Sequence, residues 1–452
     1  MTTSNWKDTL RAIKVPDQRA TTGQADEFLT LDDIVTVKKD SLRRHLHRVL
    51  SEIEELARED RWDDILALAC PVEQKFPELC DKGLDLELRA KVSFALGQKS
   101  RFDDAIAQLK ICVERDPSNF HYHSALAYNA YNSLYAAMNK EIFLRGKLKA
   151  ERIELAHRHL RMAQELRPQG ITNFYREGML YKKIEGKSDR SIPLFQKAVD
   201  NWEGLGPEEK KARHQECKNY VKALYQLASA LLDNGLARKA LAYIEKCIEA
   251  DRESNHLSMV YKYFALGKVH FELNEFREAK DALVFALEVN DNKPVDFVYE
   301  LLARVWLALN NPQKALETIL TVPEKKRRPY YRWTEADVYC AMGDFNRARV
   351  VLSSTLDRDR RSKHRALIKL AKIEYLLSNF KKAEEYAKQA SEFFHERWGG
   401  ILNDALFWQA LCAYRTGDCN RSKKLALELK AHNPRYPKLQ TLLTKLRQSE
   451  SS

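Results

Sequence analysis

The chain has 452 residues, of which 44% are hydrophobic, and a formal net charge of +12. The ordinary apolar fraction excludes disorder along the whole chain, and only 15 glycines and 13 prolines indicate an all-α protein with short connections. No stretch reaches the roughly 18 to 20 apolar residues of a transmembrane helix, and the N-terminus lacks the apolar core of a signal peptide. These features predict a cytoplasmic protein.

The eight cysteines do not form a recognisable framework. None occurs in a CxxC pair, and the closest two, Cys412 and Cys419, are seven residues apart. This spacing fits neither a zinc site nor a set of disulfides, and free cysteines usually behave as small buried apolar groups. The sequence therefore predicts reduced thiols, no metal and a reducing compartment.

Helical periodicity does not begin at the first residue. Residues 1–40 are polar and include VPDQRATTGQ, so they are predicted to form a flexible N-terminal arm. From there on, apolar residues recur at i, i+3, i+4 and i+7, the pattern of helices that pack by one face. The predicted segments are an N-terminal sub-array at 41–202 with an insert near 136–152, a connecting segment at 203–218, a C-terminal sub-array at 219–435, and a capping helix and tail at 436–452.

An internal repeat is clearest when residues 263–290 are aligned with 299–322. Both segments carry an aromatic residue, a leucine and a small residue in one helix, then a turn, then an alanine followed by apolar residues. In the first segment, Gly267 and Ala279 are the small residues, placed where two antiparallel helices would touch. The equivalent alanines of the two segments, Ala279 and Ala315, are 36 residues apart. A pattern that repeats at about this interval indicates an array of helix hairpins.

The small position of the second helix can be followed through nearly the whole chain. It recurs at Ile65, Ala105, Ala156, Ser191, Ala240, Ala279, Ala315, Ala348, Ala383 and Ser422. A proline stands twelve residues after four of these positions, at Pro77, Pro117, Pro168 and Pro434. Residues 45–435 thereby resemble about ten degenerate tetratricopeptide repeats. The resemblance implies an all-α fold, a right-handed α-solenoid (superhelix) of antiparallel helix pairs, whose first helices line a concave groove that usually holds a partner peptide.

Candidate catalytic chemistry is weak. Three His-x-His pairs occur, at 45/47, 121/123 and 157/159, but residues two apart on a helix point in nearly opposite directions and cannot chelate one ion together. A site formed across two helices by the second and third pairs remains conceivable. No nucleotide-binding, hydrolase or metalloprotease motif is present in the sequence. We therefore expect no enzyme activity and no cofactor.

One first helix is rich in residues suited to protein binding. The stretch FHYHSALAYNAYNSLYAAM, at 120–138, places Tyr128, Tyr131, Asn132 and Tyr135 on or near the predicted groove side. Tyrosine and asparagine combine large contact area with adaptable hydrogen bonding. The alternative is that some of these tyrosines pack between repeats.

The positive charge is concentrated in two segments. Residues 323–365 contain 12 Lys and Arg against 6 Asp and Glu, and residues 421–447 contain 8 against 1. By the repeat register, the clusters at 327–328 and 360–361 occupy equivalent turns of neighbouring repeats, which predicts one basic rim. Its predicted members are Lys325, Lys326, Arg327, Arg328, Arg332, Arg360, Arg361, Lys363 and Arg365. Tyr330, Trp333 and Lys369 are predicted to lead from this rim into the groove.

Two functions are compatible with these features. The first is a non-catalytic scaffold or adaptor that recruits protein partners with an acidic surface or peptide through its groove and basic rim. The alternative is a nucleic-acid-associated accessory protein whose basic C-terminal third contacts RNA or DNA. A charge run can also be no more than a solvated surface. The partner and the oligomeric state are open.

Overall fold

The computed structural model describes residues 31–290, 294–356 and 359–450. Most of the predicted N-terminal arm, residues 1–30, lies outside them, and residues 31–40 belong to a helix. The chain divides into two compact units, Met1–Leu257 and Ser258–Ser452. In the part of the chain that is described, the regular structure is helical throughout and contains no strand.

The first unit contains five helix pairs and three short extra helices. Its helices are α1 (Leu31–Arg58), α2 (Trp62–Ala69), α3 (Val72–Lys75), α4 (Pro77–Asp81), α5 (Leu86–Gln98), α6 (Phe102–Arg115), α7 (Phe120–Met138), α8 (Gly146–Leu166), α9 (Thr172–Met179), α10 (Ser188–Glu203), α11 (Pro207–Ala212), α12 (His214–Asp233) and α13 (Ala237–Ala250). A π-helical stretch, Leu180–Glu185, continues α9. The pairs are α1 with α2, α5 with α6, α7 with α8, α9 with α10, and α12 with α13.

The second unit contains five further pairs and one terminal helix. Its helices are α14 (Met259–Glu272), α15 (Phe276–Glu288), α16 (Asp296–Ala308), α17 (Pro312–Leu320), α18 (Pro329–Ala341), α19 (Phe345–Leu356), α20 (Lys363–Leu376), α21 (Phe380–Trp398), α22 (Asn403–Arg415), α23 (Cys419–His432) and α24 (Leu439–Glu450). Consecutive helices from α14 to α23 form the pairs. Leucines of α24 pack against Leu406 and Leu429, so this helix covers the last apolar face.

The predicted repeat register is confirmed by burial. The small residue predicted for each second helix is 0–1% exposed in all ten pairs, including the isoleucine at position 65 and the serines at 191 and 422. Small side chains at nine of these points let two helices approach closely. In seven of the ten pairs a larger apolar residue such as Leu283 stands four positions later and fills the space beside them, and in the other three that residue is an alanine. The all-α solenoid of antiparallel helix pairs is therefore the observed fold class within each unit.

Each hairpin turn contains one residue in the left-handed backbone conformation. One residue in every turn has a positive φ between 56° and 83°. These residues are Asp60, Ser100, Lys140, Gly186, Gly235, Asn274, Asn310, Gly343, Ser378 and Gly417. A left-handed residue directly after a helix satisfies its last carbonyl groups and reverses the chain. The repeat therefore shows in the backbone conformation of the turns as well as in the buried residue of each second helix.

The ten small positions are 33 to 51 residues apart, and the two widest intervals, 51 residues before Ala156 and 49 before Ala240, have a simple structural origin. Residues of the predicted insert near 136–152 mostly extend α7 and α8, and residues 139–145 form the loop between them. The predicted connecting segment 203–218 contains α11 and the first turn of α12. The boundaries of the predicted sub-arrays stay a prediction.

Two chemical features bear on the class of protein. All eight cysteines lie among the described residues and none forms a disulfide. In residues 31–290, 294–356 and 359–450, no helix is both long and apolar enough to cross a membrane.

The close approach of paired helices can be tested at Gly267. A β-carbon built there would lie 2.7 Å from Leu283 Cγ and 3.3 Å from the backbone oxygen of Ala279. We expect Gly267→Val to lower the free energy of unfolding by about 1–3 kcal/mol through overpacking, measured by urea unfolding followed by circular dichroism. Gly146→Val is the matched control, because a β-carbon there meets nothing within 4 Å. Equal stability of the two variants would contradict the packing assignment.

Candidate partner-binding surfaces

The groove residues predicted for the first unit, three tyrosines and an asparagine, all lie on α7 but differ in exposure. Tyr128 is half-buried, and Tyr131 is half-buried with its ring stacked 6.3 Å from that of Tyr135. Tyr135 is 43% exposed, and Asn132 is half-buried. Burial raises the pKa of Tyr131 to about 12, so its phenol stays protonated at neutral pH. The helix thus offers a partly exposed row of aromatic and amide groups.

The neighbouring first helix, α9, adds an arginine that sequence reasoning missed. The guanidinium of Arg176 lies over the Tyr128 ring, 4.2 Å from its centroid. Arg176 Nη1 also donates a hydrogen bond to Ser124 Oγ at 3.4 Å, and this hydroxyl donates to Asn173 Oδ1 at 2.8 Å. The signal in the sequence was its position on the first helix of the repeat after Tyr128.

Two hydrogen bonds fix how α12 lies beside α9. Asn219 Nδ2 donates to Thr172 Oγ1 at 2.9 Å, and Lys182 Nζ donates to the backbone oxygen of Gln226 at 3.2 Å. Lys222 lies between the two contact points on α12, as Arg176 does on the α9 side. Lys222 is half-buried, and burial lowers the pKa of its ammonium group, with Lys218 contributing.

The histidine pairs are used in packing. The backbone oxygen of Pro117 accepts a 2.9 Å hydrogen bond from His123 Nε2–H. His123 Nδ1 therefore carries no hydrogen and accepts the 2.8 Å hydrogen bond from His159 Nδ1–H. His157 contacts Glu177 and Glu185 through its two ring nitrogens. Neither arrangement leaves ring nitrogens converging on a metal position. Among the described residues, no group of three or more His, Cys, Asp or Glu is arranged to hold a metal ion.

Several cations of the predicted rim form ion pairs within the second unit. Arg327 pairs with Glu335 at 2.8 Å, and the two side chains are 8% and 4% exposed. Arg332 is 8% exposed and pairs with Glu324 at 2.9 Å. Arg327 Nε also donates to the backbone oxygen of Val322. These two arginines hold the turn before α18 in place, and their donors face inward.

The other predicted rim residues are more accessible. Lys325, Lys326, Arg360 and Arg361 are exposed, and within the described ranges no carboxylate pairs with any of them. Arg328 is exposed and lies 3.4 Å from Asp296 Oδ2. Lys363 is half-buried, and Arg365 is exposed with its guanidinium 5.3 Å from the centroid of the Trp333 ring.

The register of α18 and α20 brings the two predicted turns to the same end of adjacent helices. Arg365 contacts Trp333, and one turn later Lys369 Nζ contacts the Asp337 carboxylate at 2.6 Å. Both contacts join residues 32 positions apart. Arg328 directly precedes α18, and Arg360 and Arg361 stand three and two residues before α20.

The predicted groove residues of the second unit are largely engaged. The hydroxyl of Tyr330 donates to Asp296 Oδ2 at 2.5 Å, and Lys369 is neutralised by Asp337. Trp333 is 9% exposed, and its Nε1 has no hydrogen-bond partner among the described residues. Thr334 adds a hydrogen bond to Glu300 on α16. Hydrogen bonds and ion pairs thus link neighbouring first helices of this unit.

An aromatic cluster beside the basic turn was also missed from the sequence. The ring of His364 lies 5.2 Å from Trp398 and 5.3 Å from Phe394, and Phe393 completes the cluster. Trp398 is 50% exposed. The signal for this cluster in the sequence was the aromatic-rich stretch FFHERW, residues 393–398, which forms the end of α21.

Deep pockets are not a feature of these surfaces. Two of the best-formed depressions in the described part of the chain have volumes of about 270 and 240 Å³. Neither is lined by a predicted site residue, and both are below the roughly 300–1,000 Å³ of typical small-molecule sites. The candidate sites are therefore open faces of helices.

The inward role of Arg327 predicts a large difference between neighbouring cations. Arg327→Met leaves Glu335 buried with a weaker partner, so we expect a loss of about 3 kcal/mol in the free energy of unfolding. Lys326→Met, at an exposed position, should change it by less than about 0.5 kcal/mol. Urea titration of both variants provides the comparison, and similar values for the two would refute the buried-pair assignment.

The histidine pair predicts a specific loss of stability in mild acid. Burial lowers the pKa of His159 to about 4, with His123 and Arg158 contributing. The unfolded chain therefore takes up this proton first, so the stabilisation is complete above about pH 6.5 and is lost as the pH falls toward 4. Between these limits, the unfolding free energy of the wild type should fall by about 1–3 kcal/mol more than that of His159→Gln. His432→Gln, at an exposed site, should follow the wild type; parallel curves for all three proteins would overturn the prediction.

The comparisons with known proteins agree with this geometry. The sequence pattern of the tetratricopeptide repeat-like domain matches residues 211–377. Among curated proteins, none is similar enough in sequence to match the chain. Of the solved structures, the apo form of RapI has a TM-score of 0.53 at 15% identity, covering 79% of this chain and 99% of its own. At this identity the likeness shows the fold alone.

Two further structures are similar over different lengths. A tetratricopeptide repeat protein from Parabacteroides merdae ATCC 43184 is 13% identical, with 64% of this chain and 98% of that chain covered and a TM-score of 0.44. Naa15/Naa10 bound to HypK-THB is 15% identical, with 90% and 70% covered and a TM-score of 0.42. The match of the family pattern shows that the chain contains a tetratricopeptide repeat-like domain at residues 211–377.

Proposed function

We propose that the protein is a non-catalytic scaffold or adaptor that binds partner proteins through the exposed faces of its first helices and through a basic edge. The observation that carries this proposal is the set of exposed cations before α18 and α20. Lys325, Lys326, Arg360 and Arg361 have no carboxylate partner among the described residues. We call these four residues the basic edge. Since Arg327 and Arg332 are used internally, they are not part of the proposed contact.

Aromatic groups beside the basic edge support a protein partner. The exposed Trp398 and the half-buried His364 lie near the start of α20, next to the loop that carries Arg360 and Arg361. Tryptophan and arginine are enriched among the residues that contribute most to protein interfaces. An acidic protein surface or peptide would match both the charge and the aromatic contacts. The eight cysteines form no disulfide, which is compatible with the cytoplasmic location that we include in the proposal.

A nucleic acid is the competing partner for the same edge, because lysine and arginine neutralise phosphates and aromatic rings stack on bases. The two partners differ in salt dependence. If six or more phosphates are contacted, affinity should fall by roughly 10³-fold or more between 50 and 200 mM salt. An acidic protein that contacts four cations should lose much less.

The proposal is tested by charge reversal of the basic edge. Tagged wild-type protein and the variant Lys325→Glu, Lys326→Glu, Arg360→Glu, Arg361→Glu are used to isolate partners from native lysate, with and without nuclease. We expect specific proteins that survive nuclease treatment and are lost in the variant. The matched control reverses four exposed cations of the first unit, Lys110, Lys140, Arg145 and Lys149, and should retain them.

Other outcomes distinguish the alternatives. Recovery of RNA or DNA that is lost in the variant, with no protein surviving nuclease, would favour the nucleic-acid reading. If the variant and the control both retain every partner, the basic edge is a solvated surface and the proposal is wrong at this site.

A further inference from the structure

The hairpin of α7 and α8 extends beyond the hairpins next to it in the first unit. α8 begins at Gly146, ten residues before Ala156, whereas α6 and α10 each begin three residues before their own small residue. The seven extra residues correspond to about 10 Å of helix. α7 is lengthened as well, with 19 residues against 13 in α5. Since α6 packs on α7 and α9 packs on α8, the end of this hairpin protrudes past its neighbours on both sides.

This protruding end is uncovered in the described part of the first unit. Arg152 is 6% exposed and pairs with Asp103 near the start of α6, which marks where the neighbouring hairpin still makes contact. Residues 146–151, which precede it, are all exposed. We call residues 139–149 the hairpin tip. Apart from Ile142 and Leu144, every residue of the tip is exposed.

Phe143 is held outward at the hairpin tip. On one side of it, Leu144 packs against the buried apolar cluster between α6, α7 and α8. On the other side, the backbone N–H of Glu141 donates to the backbone oxygen of Ala136 at 2.9 Å. The Phe143 side chain is 83% exposed, the most of any large apolar residue described, and Leu148 in the first turn of α8 is 37% exposed. The loop is therefore anchored while its largest apolar side chain faces solvent.

The hairpin tip is also basic. It carries four exposed cations, which are Lys140, Arg145, Lys147 and Lys149. Glu141 is its one acidic residue, so the net charge of the tip is +3. Lys147 lies 4.0 Å from Glu151, and no carboxylate of the described residues pairs with the other three cations. All four lie within six residues of Phe143 along the chain, so positive charge surrounds the exposed ring.

We infer that the hairpin tip binds the surface of a lipid bilayer that contains anionic phospholipids, with Phe143 inserted at the level of the head groups. Aromatic and leucine side chains enter the boundary between head groups and acyl chains, while lysine and arginine are attracted to anionic lipids. Phe143 and Leu148 supply the first contribution, and the cations of the tip supply the second. This site goes beyond the proposed function and uses residues of the first unit alone.

A bilayer fits the hairpin tip better than a nucleic acid or a folded protein does. A protruding ring enters the soft head-group region without a preformed recess, whereas a protein partner would need a pocket shaped for it. Stable protein interfaces use about 20–30 residues on each side, against the 11 residues of the tip. Tight binding to a nucleic-acid backbone uses about six to ten phosphate contacts, against four cations here.

The test is flotation of the full-length protein with lipid vesicles. Vesicles of phosphatidylcholine and phosphatidylglycerol, in a ratio of about 7 to 3, should bind the wild type, and vesicles of phosphatidylcholine alone should not. Phe143→Ser should lower the partition coefficient on the order of tenfold or more, because the ring no longer leaves water. Arg145→Gln with Lys149→Gln should lower it about 25-fold, because each cation near an anionic surface strengthens binding by about fivefold.

Matched variants control for exposure and for total charge. Val350→Ser removes another highly exposed apolar side chain, 69% exposed, and should bind like the wild type. Lys75→Gln with Lys82→Gln removes two exposed charges elsewhere in the first unit and should do the same. Because the substituted side chains of the tip are exposed, the thermal midpoints of all these variants should equal that of the wild type.

Insertion of the ring has a direct readout. Phe143→Trp adds a fluorophore at the tip, and brominated acyl chains in the mixed vesicles should quench this added fluorescence when compared with the wild type. Absence of extra quenching would mean that the ring stays outside the bilayer, and the inference would then be wrong.

The remaining outcomes are equally decisive. The inference is overturned if the mixed vesicles do not bind the wild type, or if Phe143→Ser and Arg145→Gln with Lys149→Gln bind as well as it does. Equal losses in Lys75→Gln with Lys82→Gln would show attraction by total charge rather than by the tip, which also overturns it. The basic edge is tested at other residues, so each of these results leaves the proposed function unchanged.

Discussion

The contact between a small residue of each second helix and the first helix of the same pair is the interaction on which the rest of the structure depends. In the ten pairs this residue is buried to 0–1% exposure, and at Gly267 the facing residue is small as well. Close approach allows a large apolar side chain such as Leu283 to fill the space between pairs. Because each pair then buries only the faces turned toward its neighbours, one face of every first helix is left for other uses.

Polar contacts join neighbouring first helices in both units, as Lys91 with Glu54 does in the first. In the second unit, neighbouring first helices are joined by polar contacts such as Lys369 with Asp337 and Thr334 with Glu300, so charge is balanced internally. In the first unit, Arg176 and Lys222 have no such balance. A polar link between helices stabilises the array, whereas a partly buried cation with no carboxylate beside it adds no such link.

Part of the candidate site could be read from the sequence, and part could not. The row of tyrosines on α7 and the basic turns before α18 and α20 follow from periodicity and repeat register alone. The inward orientation of Arg327 does not, because the sequence shows four adjacent cations and cannot tell which of them reaches Glu335, eight residues later. Arg176 was missed for the same reason: a single arginine in TNFYREG is unremarkable until Tyr128, from another repeat, is packed against its face.

The sequence by itself determined the fold class, the ten repeat positions and the places where basic residues accumulate. These are properties of local spacing, and local spacing sets helical faces and hairpin turns. Only the tertiary structure decided which charges are neutralised, since pairing depends on side-chain reach and burial. This holds for helices far apart in sequence, as for Lys369 with Asp337, and for near neighbours such as Arg327 with Glu335. A cation such as Arg327 is held inside the fold because a carboxylate lies beside it, and a cation such as Lys326 stays exposed to solvent. That difference arises from packing.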